Sequence, residues 1–190
     1  MKKIGIFAFV AALFISFAVA DISVAGALVR NGSGVRTKSI FGTLYYLSLY
    51  VPGTLKGKSG KEIIEANEAM YLVLTIDSSL VTRERFVETT SDGFAKSAAS
   101  GYASAKKAAF LAQFNKSKFS KGDVVLMSYT PAGLTTTYKK KEVGKDGKVT
   151  FKAEVLGTIA GLDLKKSLFA IWLGSNPVQE SLKTSLLSGK

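Results

Sequence analysis

The chain has 190 residues, 47% of them hydrophobic, and a formal net charge of +12 at pH 7. It contains no cysteine and no histidine, which excludes disulfides, the usual Cys/His zinc sites and catalysis by Ser-His or Cys-His pairs, and we predict neither metal nor cofactor. The excess of basic over acidic residues favours association with anionic surfaces. No nucleic-acid-binding motif is present, however, and no nucleic-acid partner is predicted.

Residues 1–20 have the three parts of a secretory signal peptide. Lys2 and Lys3 form a positive n-region, residues 4–17 are apolar, and residues 18–20 (AVA) form a small-x-small cleavage site. A transmembrane anchor is the alternative, but this apolar run is shorter than the roughly 18 residues expected of a span. We predict cleavage after residue 20, a periplasmic or secreted protein, and one mature domain over residues 21–190 with a charge of +10.

The first half of the mature chain alternates strand and helix patterns. Residues 31–34 (NGSG) have turn composition, and residues 70–76 (MYLVLTI) form an unbroken apolar and β-branched run typical of a central strand. Ser59 and Thr82 stand where N-caps are expected. The predicted elements are strands at 23–30, 35–41, 43–51 and 70–76, and helices at 59–65, 82–100 and 104–114.

The second half contains three strand patterns followed by two helix patterns. Strands are predicted at 124–130, 133–139 and 148–157, with a turn at 145–147, and helices at 164–173 and 177–187, the last beginning at Pro177. The lysines at 139–141 are interpreted as a solvated hairpin edge. This order predicts an α+β protein whose largely antiparallel sheet is covered on one face by helices.

Two stretches resemble a known family. Residues 32–53 (GSGVRTKSIFGTLYYLSLYVPG) and 167–189 (SLFAIWLGSNPVQESLKTSLLSG) are similar to the entry strands and the closing helix pair of the chalcone isomerase-like family. The resemblance implies an open-faced β-sandwich with a ligand cleft between sheet and helices. It also implies one of two functions: closure of a chalcone into a flavanone, as in the plant enzymes, or fatty-acid binding without catalysis.

The family positions distinguish these two functions. Arg36 matches the cleft arginine of both groups, whereas the polar positions of the enzymes correspond to Tyr45, Phe94, Gly101 and Ile171. Without the polar side chains that the enzymes have at these positions, the cleft lacks the hydrogen-bond donors that stabilise negative charge in the transition state of ring closure. In the fatty-acid-binding members an arginine and a tyrosine on the next strand hold the carboxylate, and Arg36 and Tyr45 match them. The resemblance therefore favours a non-catalytic binder of a small apolar carboxylate.

Strand geometry supports this pairing independently. A two-residue turn at 41–42 would place Arg36 opposite Leu47, and Tyr45 diagonally across on the same face, at roughly 7 to 8 Å between Cα atoms. A guanidinium binds carboxylate through two parallel donors, which a lysine cannot do. The predicted ligand-binding residues are Arg36, Tyr45 and Tyr50, the last as a core or cleft-lining side chain, and no catalytic residue is assigned.

Several alternatives stay open at this point. The chain could be a chalcone isomerase-type isomerase or intramolecular lyase, or a basic protein that associates weakly with an anionic membrane surface. Arg36 could form a structural ion pair, and Phe86, Phe110 and Phe114 could line an acyl tunnel or fill the core. We predict a monomer.

Overall fold

The computed structural model describes residues 28–189, which form a six-stranded sheet and five α-helices. The predicted signal peptide and residues 23–27 of the first predicted strand lie outside this range. The strands are β1 (Leu28–Lys38), β2 (Gly42–Pro52), β3 (Met70–Ile76), β4 (Val124–Thr130), β5 (Gly133–Val143) and β6 (Val149–Ile159). The helices are α1 (Gly60–Glu65), α2 (Arg83–Ala99), α3 (Lys107–Ala112), α4 (Leu162–Leu173) and α5 (Glu180–Leu186), and one turn of 3-10 helix spans Gly53–Leu55.

The sheet is a meander in which each strand pairs antiparallel with the next, in the order β1 to β6. In β3 buried and half-buried residues alternate, so one face is packed and the other, among the described residues, is open to solvent. On β2 the packed face carries Leu47, Leu49 and Val51. The predicted fold class, an α+β open-faced sandwich, is confirmed.

Helix α4 lies at the centre of the helix layer. Nine of its twelve residues are buried, and its apolar second half, residues 168–173, is enclosed on all sides. It contacts α1, α2 and α5 as well as the sheet. No helix within residues 28–189 is long and apolar enough to cross a membrane.

One buried residue of α4 is charged. Lys165 is fully buried, and its Nζ donates hydrogen bonds of 2.6, 2.9 and 2.8 Å to the carbonyls of Ile63, Ile64 and Ala66 at the end of α1. The ring of Phe169 lies 5.1 Å from the same Nζ. These contacts satisfy the helix-end carbonyls that would otherwise lack donors and fasten α1 to α4.

The predicted turn at 31–34 is wrong, because these residues lie within β1. A Cβ at Gly32 would fall 2.6 Å from the carbonyl oxygen of Leu186 and closer still to that of Ser185, so the glycine allows α5 to pack directly on the strand. Asn31 is buried beside it and donates to the Leu186 carbonyl at 2.8 Å. Gly32 is therefore needed for the close approach of α5 to β1, and not for a reversal of the chain.

The β1–β2 hairpin also differs from the prediction. The chain reverses through residues 39–41, where the amide of Phe41 donates to the Lys38 carbonyl, and β1 ends at Lys38. Arg36 therefore lies directly opposite Tyr45 and not opposite Leu47. A register irregularity follows Arg36. The two side chains still share a face, as predicted.

Other boundaries follow from local contacts. The caps are confirmed: Ser59 forms a capping box with Glu62, and the Thr82 hydroxyl accepts from the amide of Arg85. Helix α5 begins at Glu180 rather than at Pro177, because the backbone of Gln179 is extended and the helix can start only after it.

The lysine triplet of β5 is only partly solvated. Lys140 extends to the fully buried carboxylate of Asp123, with an Nζ to Oδ2 distance of 3.0 Å. The same carboxylate accepts from the hydroxyl of Tyr138 and the amide of Ser120. The interpretation as a free hairpin edge is therefore wrong for Lys140, whose charge is used to hold the loop before β4.

Candidate functional site

A cavity of about 540 Å³ lies between the β1–β2 end of the sheet and helices α2 and α4. Its volume falls within the roughly 300–1,000 Å³ of small-molecule sites. The buried part of its wall is largely apolar, and consists chiefly of Leu74, Val81, Phe86, Ile171 and Trp172. Such a wall can take up a hydrocarbon group in exchange for water.

The exposed part of the wall is charged. Lys38 comes from the end of β1, and Arg85, Glu88, Asp92 and Lys96 come from successive turns of α2. Because these residues are solvent-exposed while the apolar ones are buried, they form the rim of the cavity and the apolar residues its floor. The rim has three cations and two carboxylates.

Arg36 lies at the cavity wall, partly buried. Its Nη1 donates to the backbone carbonyl of Thr37 and to Oε1 of Gln179, each at 3.0 Å. Both hydrogen bonds use one nitrogen, and within residues 28–189 Nη2 and Nε have no hydrogen-bond acceptor. The guanidinium is thus held in place from one end and keeps two nitrogens, with three N–H donors, free at the other.

Gln179 positions this arginine. Its side-chain amide bonds the edge strand as a neighbouring strand would: Oε1 accepts from the amide of Thr37 at 3.0 Å, and Nε2 donates to the carbonyl of Val35 at 3.2 Å. This covers part of the free edge of β1. It also fixes Oε1 where the guanidinium of Arg36 can donate to it.

Tyr45 lies directly opposite Arg36 on β2 and lines the same cavity. Its hydroxyl oxygen accepts a 3.0 Å hydrogen bond from Nε1 of Trp172. Burial raises the pKa of the phenol, against smaller lowering effects of the Trp172 hydrogen bond and the Arg36 charge. The phenol is therefore neutral near pH 7, and its proton has no acceptor in the described part of the chain.

Together these two side chains form a donor pair for an anion. The free end of the guanidinium and the phenolic proton are contributed from directly opposed positions on neighbouring strands, where Cβ atoms lie roughly 4.5–5.5 Å apart. A carboxylate accepts two such bonds readily. The geometry can therefore hold a carboxylate whose apolar part occupies the cavity.

Tyr50 does not belong to this group. It lies on the opposite, open face of the sheet, since it is an odd number of residues from Tyr45 in β2, and it is absent from the cavity wall. Its ring stacks on that of Tyr71 in the next strand, with centroids 4.5 Å apart. We therefore assign it to cross-strand packing on the open face.

The positions carried over onto α2 also need correction. Phe94 is buried with its ring 5.8 Å from that of Phe110, and Gly101 lies beyond the helix; neither lines the cavity. On α2 the cavity is lined by Phe86 and Gly93, whose side chains cannot donate a hydrogen bond, and by the hydroxyls of Thr89 and Thr90.

The three phenylalanines considered for an acyl tunnel fall into two groups, one in the cavity wall and two in the core. Phe86 lines the cavity, whereas Phe110 and Phe114 are fully buried in the core, 5.5 Å apart in an edge-to-face contact. Ile171 lines the cavity as the family alignment implied. The acyl-tunnel interpretation therefore stays open only for Phe86.

Three residues of the site were not predicted to act there. Gln179 follows Pro177 without any sequence signal for its contact with β1, and Thr90 is the middle of three consecutive hydroxyl residues in an amphipathic helix pattern. Trp172 lies in the apolar helix pattern at 164–173, which by itself predicts core packing. Its membership follows from the hydrogen bond to Tyr45, which joins residues 127 positions apart.

Metal binding has no structural support in the described range, where no three acidic side chains converge as a metal site requires. The cavity carries only two carboxylates, Glu88 and Asp92, both on its rim.

Comparison with known proteins gives a consistent picture. Residues 19–188 match the model of a family described as chalcone isomerase-like. Among solved structures, the Arabidopsis thaliana fatty-acid-binding protein AtFAP1 superposes with a TM-score of 0.58 at 15% identity, over 88% of this chain and 90% of that one. No curated protein sequence matches this chain. The similarity to AtFAP1 is one of fold.

Proposed function

This chain belongs to the chalcone isomerase-like family, and we propose that it binds a fatty acid or a similar apolar carboxylate without catalysing a reaction on it. One observation carries the proposal: Arg36 and Tyr45 present free donors from opposed strand positions into a cavity with an apolar floor. A fatty-acid-binding protein, AtFAP1, shares the fold. The ligand's carboxylate would accept from both side chains, and its tail would lie against Phe86 and Ile171.

The cavity is poorly equipped for chalcone closure. That reaction needs a base or a positioned water and donors at the developing negative charge. Tyr45 stays protonated because burial raises its pKa, and Phe86, Gly93 and Ile171 provide no donor. An isomerase would have to use Thr89, Thr90 or the rim carboxylates. Incubation with a chalcone should give no flavanone above the buffer rate.

The binding proposal is tested with Arg36→Ala. Fluorescence titration with cis-parinaric acid, a fluorescent fatty acid, should show an affinity loss of roughly ten- to a hundredfold, the worth of a hydrogen bond to a charged group. Arg36→Lys should fall between wild type and Arg36→Ala, because it keeps the charge but not the planar fork. Unchanged affinity in both variants would remove the proposed role of Arg36.

Arg30→Ala is the matched control. Arg30 lies on the same strand but is exposed, opposite Tyr50, outside the cavity. Its removal lowers the net charge by the same amount without touching the cavity, and the affinity should stay at the wild-type value. Native mass spectrometry of the purified proteins gives a second readout: we expect a monomer with added acid mass in wild type and Arg30→Ala, and without it in Arg36→Ala.

A further inference from the structure

The tip of the β1–β2 hairpin exposes two large apolar side chains. Ile40 is 87% exposed and Phe41 45% exposed, at a reversal where polar residues are usual. Phe41 also lines the cavity, and the ammonium of Lys38 lies 5.7 Å from its ring centroid. An apolar tip directly beside the opening of an apolar cavity is more than a scattered surface side chain.

The surroundings of this tip are basic. Lys38, Arg85 and Lys96 stand at the cavity rim, Arg36 lies inside it, and the whole chain has a net charge of +12. Two rim carboxylates, Glu88 and Asp92, leave the group of six side chains with a net positive charge. Exposed apolar groups surrounded by cations suit the interface of an anionic lipid layer.

The topology places a second apolar tip at the same end of the molecule. In a meander successive connections alternate between the two ends of the sheet, so the β1–β2 and β5–β6 turns lie at one end, at opposite edges. The β5–β6 tip exposes Val143 by 62% and Val149 by 42%, next to Lys145 and Lys148 and to the carboxylates of Glu142 and Asp146, so that this second tip is apolar but close to neutral. Both tips therefore lie at the end of the sheet from which the β3–β4 connection, with α2 and α3, also leaves.

We propose that this end of the sheet docks on an anionic lipid surface, with Ile40 inserted and the β5–β6 tip as a second contact. Docked in this way, the opening of the cavity faces the lipid, and an apolar carboxylate can pass between the layer and the cavity without crossing water. The contact with lipid stands on the exposed tips and their charge; its use as a passage rests on the proposed function.

The test is flotation of the protein with vesicles of equal parts phosphatidylglycerol and phosphatidylcholine. Ile40→Ser should weaken vesicle binding by roughly tenfold, the lower end of what burial of an isoleucine side chain is worth. Val155→Ser is the matched control: Val155 is 66% exposed on β6, away from both tips, and its removal should change nothing. Equal binding of the two variants would overturn the proposal.

Two further experiments test whether binding depends on charge and whether the β5–β6 tip contacts the lipid. Wild-type binding should weaken steeply with added salt, and should be lost on vesicles of phosphatidylcholine alone, because exposed charges are screened within about 10 Å at 0.1 M ionic strength. Binding indifferent to both changes would remove the anionic surface as partner. Val143→Ser should also weaken binding, and wild-type binding by that variant would contradict the second contact.

Failure of this inference can be told apart from failure of the proposed function. Ile40 is not part of the cavity wall, so Ile40→Ser should bind cis-parinaric acid in vesicle-free solution like wild type. Vesicle binding that depends on Ile40, in a protein that binds no cis-parinaric acid, would leave the docking surface standing alone. Binding of cis-parinaric acid without any binding to vesicles would overturn the lipid-docking proposal and leave the proposed fatty-acid site intact.

Discussion

The adjacent tyrosines of β2 have different surroundings, which makes them a matched pair for substitution. Tyr45 faces the cavity and Tyr46 is exposed on the open face. Tyr45→Phe removes a free donor and leaves Nε1 of buried Trp172 without its acceptor. Affinity for cis-parinaric acid should fall roughly tenfold and the free energy of unfolding by about 1–3 kcal/mol.

Tyr46→Phe removes the same oxygen from the other side of the same strand. Its affinity should equal that of wild type, and its free energy of unfolding should stay within about 0.5 kcal/mol of the wild-type value. Equal loss of affinity in the two variants would mean that the phenol of Tyr45 does not contact the ligand.

At the level of elements, the packing of α5 on β1 connects the fold to the site. Gln179, which holds Arg36, immediately precedes α5, and α5 can approach β1 only because Gly32 has no side chain. Gly32→Ala should push α5 away, lower the free energy of unfolding by about 1–3 kcal/mol, and weaken acid binding because Gln179 moves with the helix. Denaturant unfolding and cis-parinaric acid titration measure the two effects.

Gly53→Ala is the control for this change. A Cβ at Gly53 meets no atom within 4 Å, and its φ is not in the left-handed region. The variant should keep wild-type affinity and change stability by less than about 1 kcal/mol. A stable Gly32→Ala with wild-type affinity would show that α5 tolerates displacement without consequence for Arg36.

For the whole molecule, the buried ammonium of Lys165 makes stability depend on pH. Burial, followed by the nearby charge of Lys166, lowers the pKa of Lys165 to about 7, whereas an unfolded lysine has a pKa of about 10.4. Between these values the unfolded state binds a proton that the folded state has released, and the neutral amine then keeps two N–H donors for the three carbonyls that the ammonium bonds. The contribution of Lys165 to stability therefore rises from pH 7 to pH 10 and is lowest below pH 7.

The measurement is the difference in free energy of unfolding between wild type and Lys165→Met as a function of pH. Met cannot titrate, and the other lysines cancel in the difference, which should grow in favour of wild type from pH 7 to pH 10. Lys56→Met, at an exposed position, is measured alongside as the control for loss of a surface lysine. A flat line for Lys165→Met would mean that Lys165 keeps its proton throughout this range.

Local signals predicted most of the elements. The uniform apolar run at 70–76 and the capping residues Ser59 and Thr82 were read correctly because they act within a few residues of chain. The glycines at 32 and 34 were misread as a turn. Their role depends on a helix some 150 residues later, and composition alone cannot distinguish close approach from reversal.

The site was also predicted only in part, because some of its residues follow from local strand geometry and others from contacts between distant parts of the chain. Arg36 and Tyr45 were paired on one face because the register was wrong by two residues, and a shift by an even number of residues keeps each side chain on its face. Tyr50 was included without use of that alternation, which places it on the other face. Gln179 and Thr90 could not be found, since their positions depend on tertiary packing. The signal peptide and the exported location stay predictions.

Trp172 has a consequence that concerns measurement. It is the only tryptophan of the chain, and its indole stands in the cavity wall with its N–H bonded to Tyr45. Indole emission shifts with local polarity and with the partner of the N–H group. The protein thus carries a built-in optical reporter at the one place where occupancy matters, and no dye has to be attached.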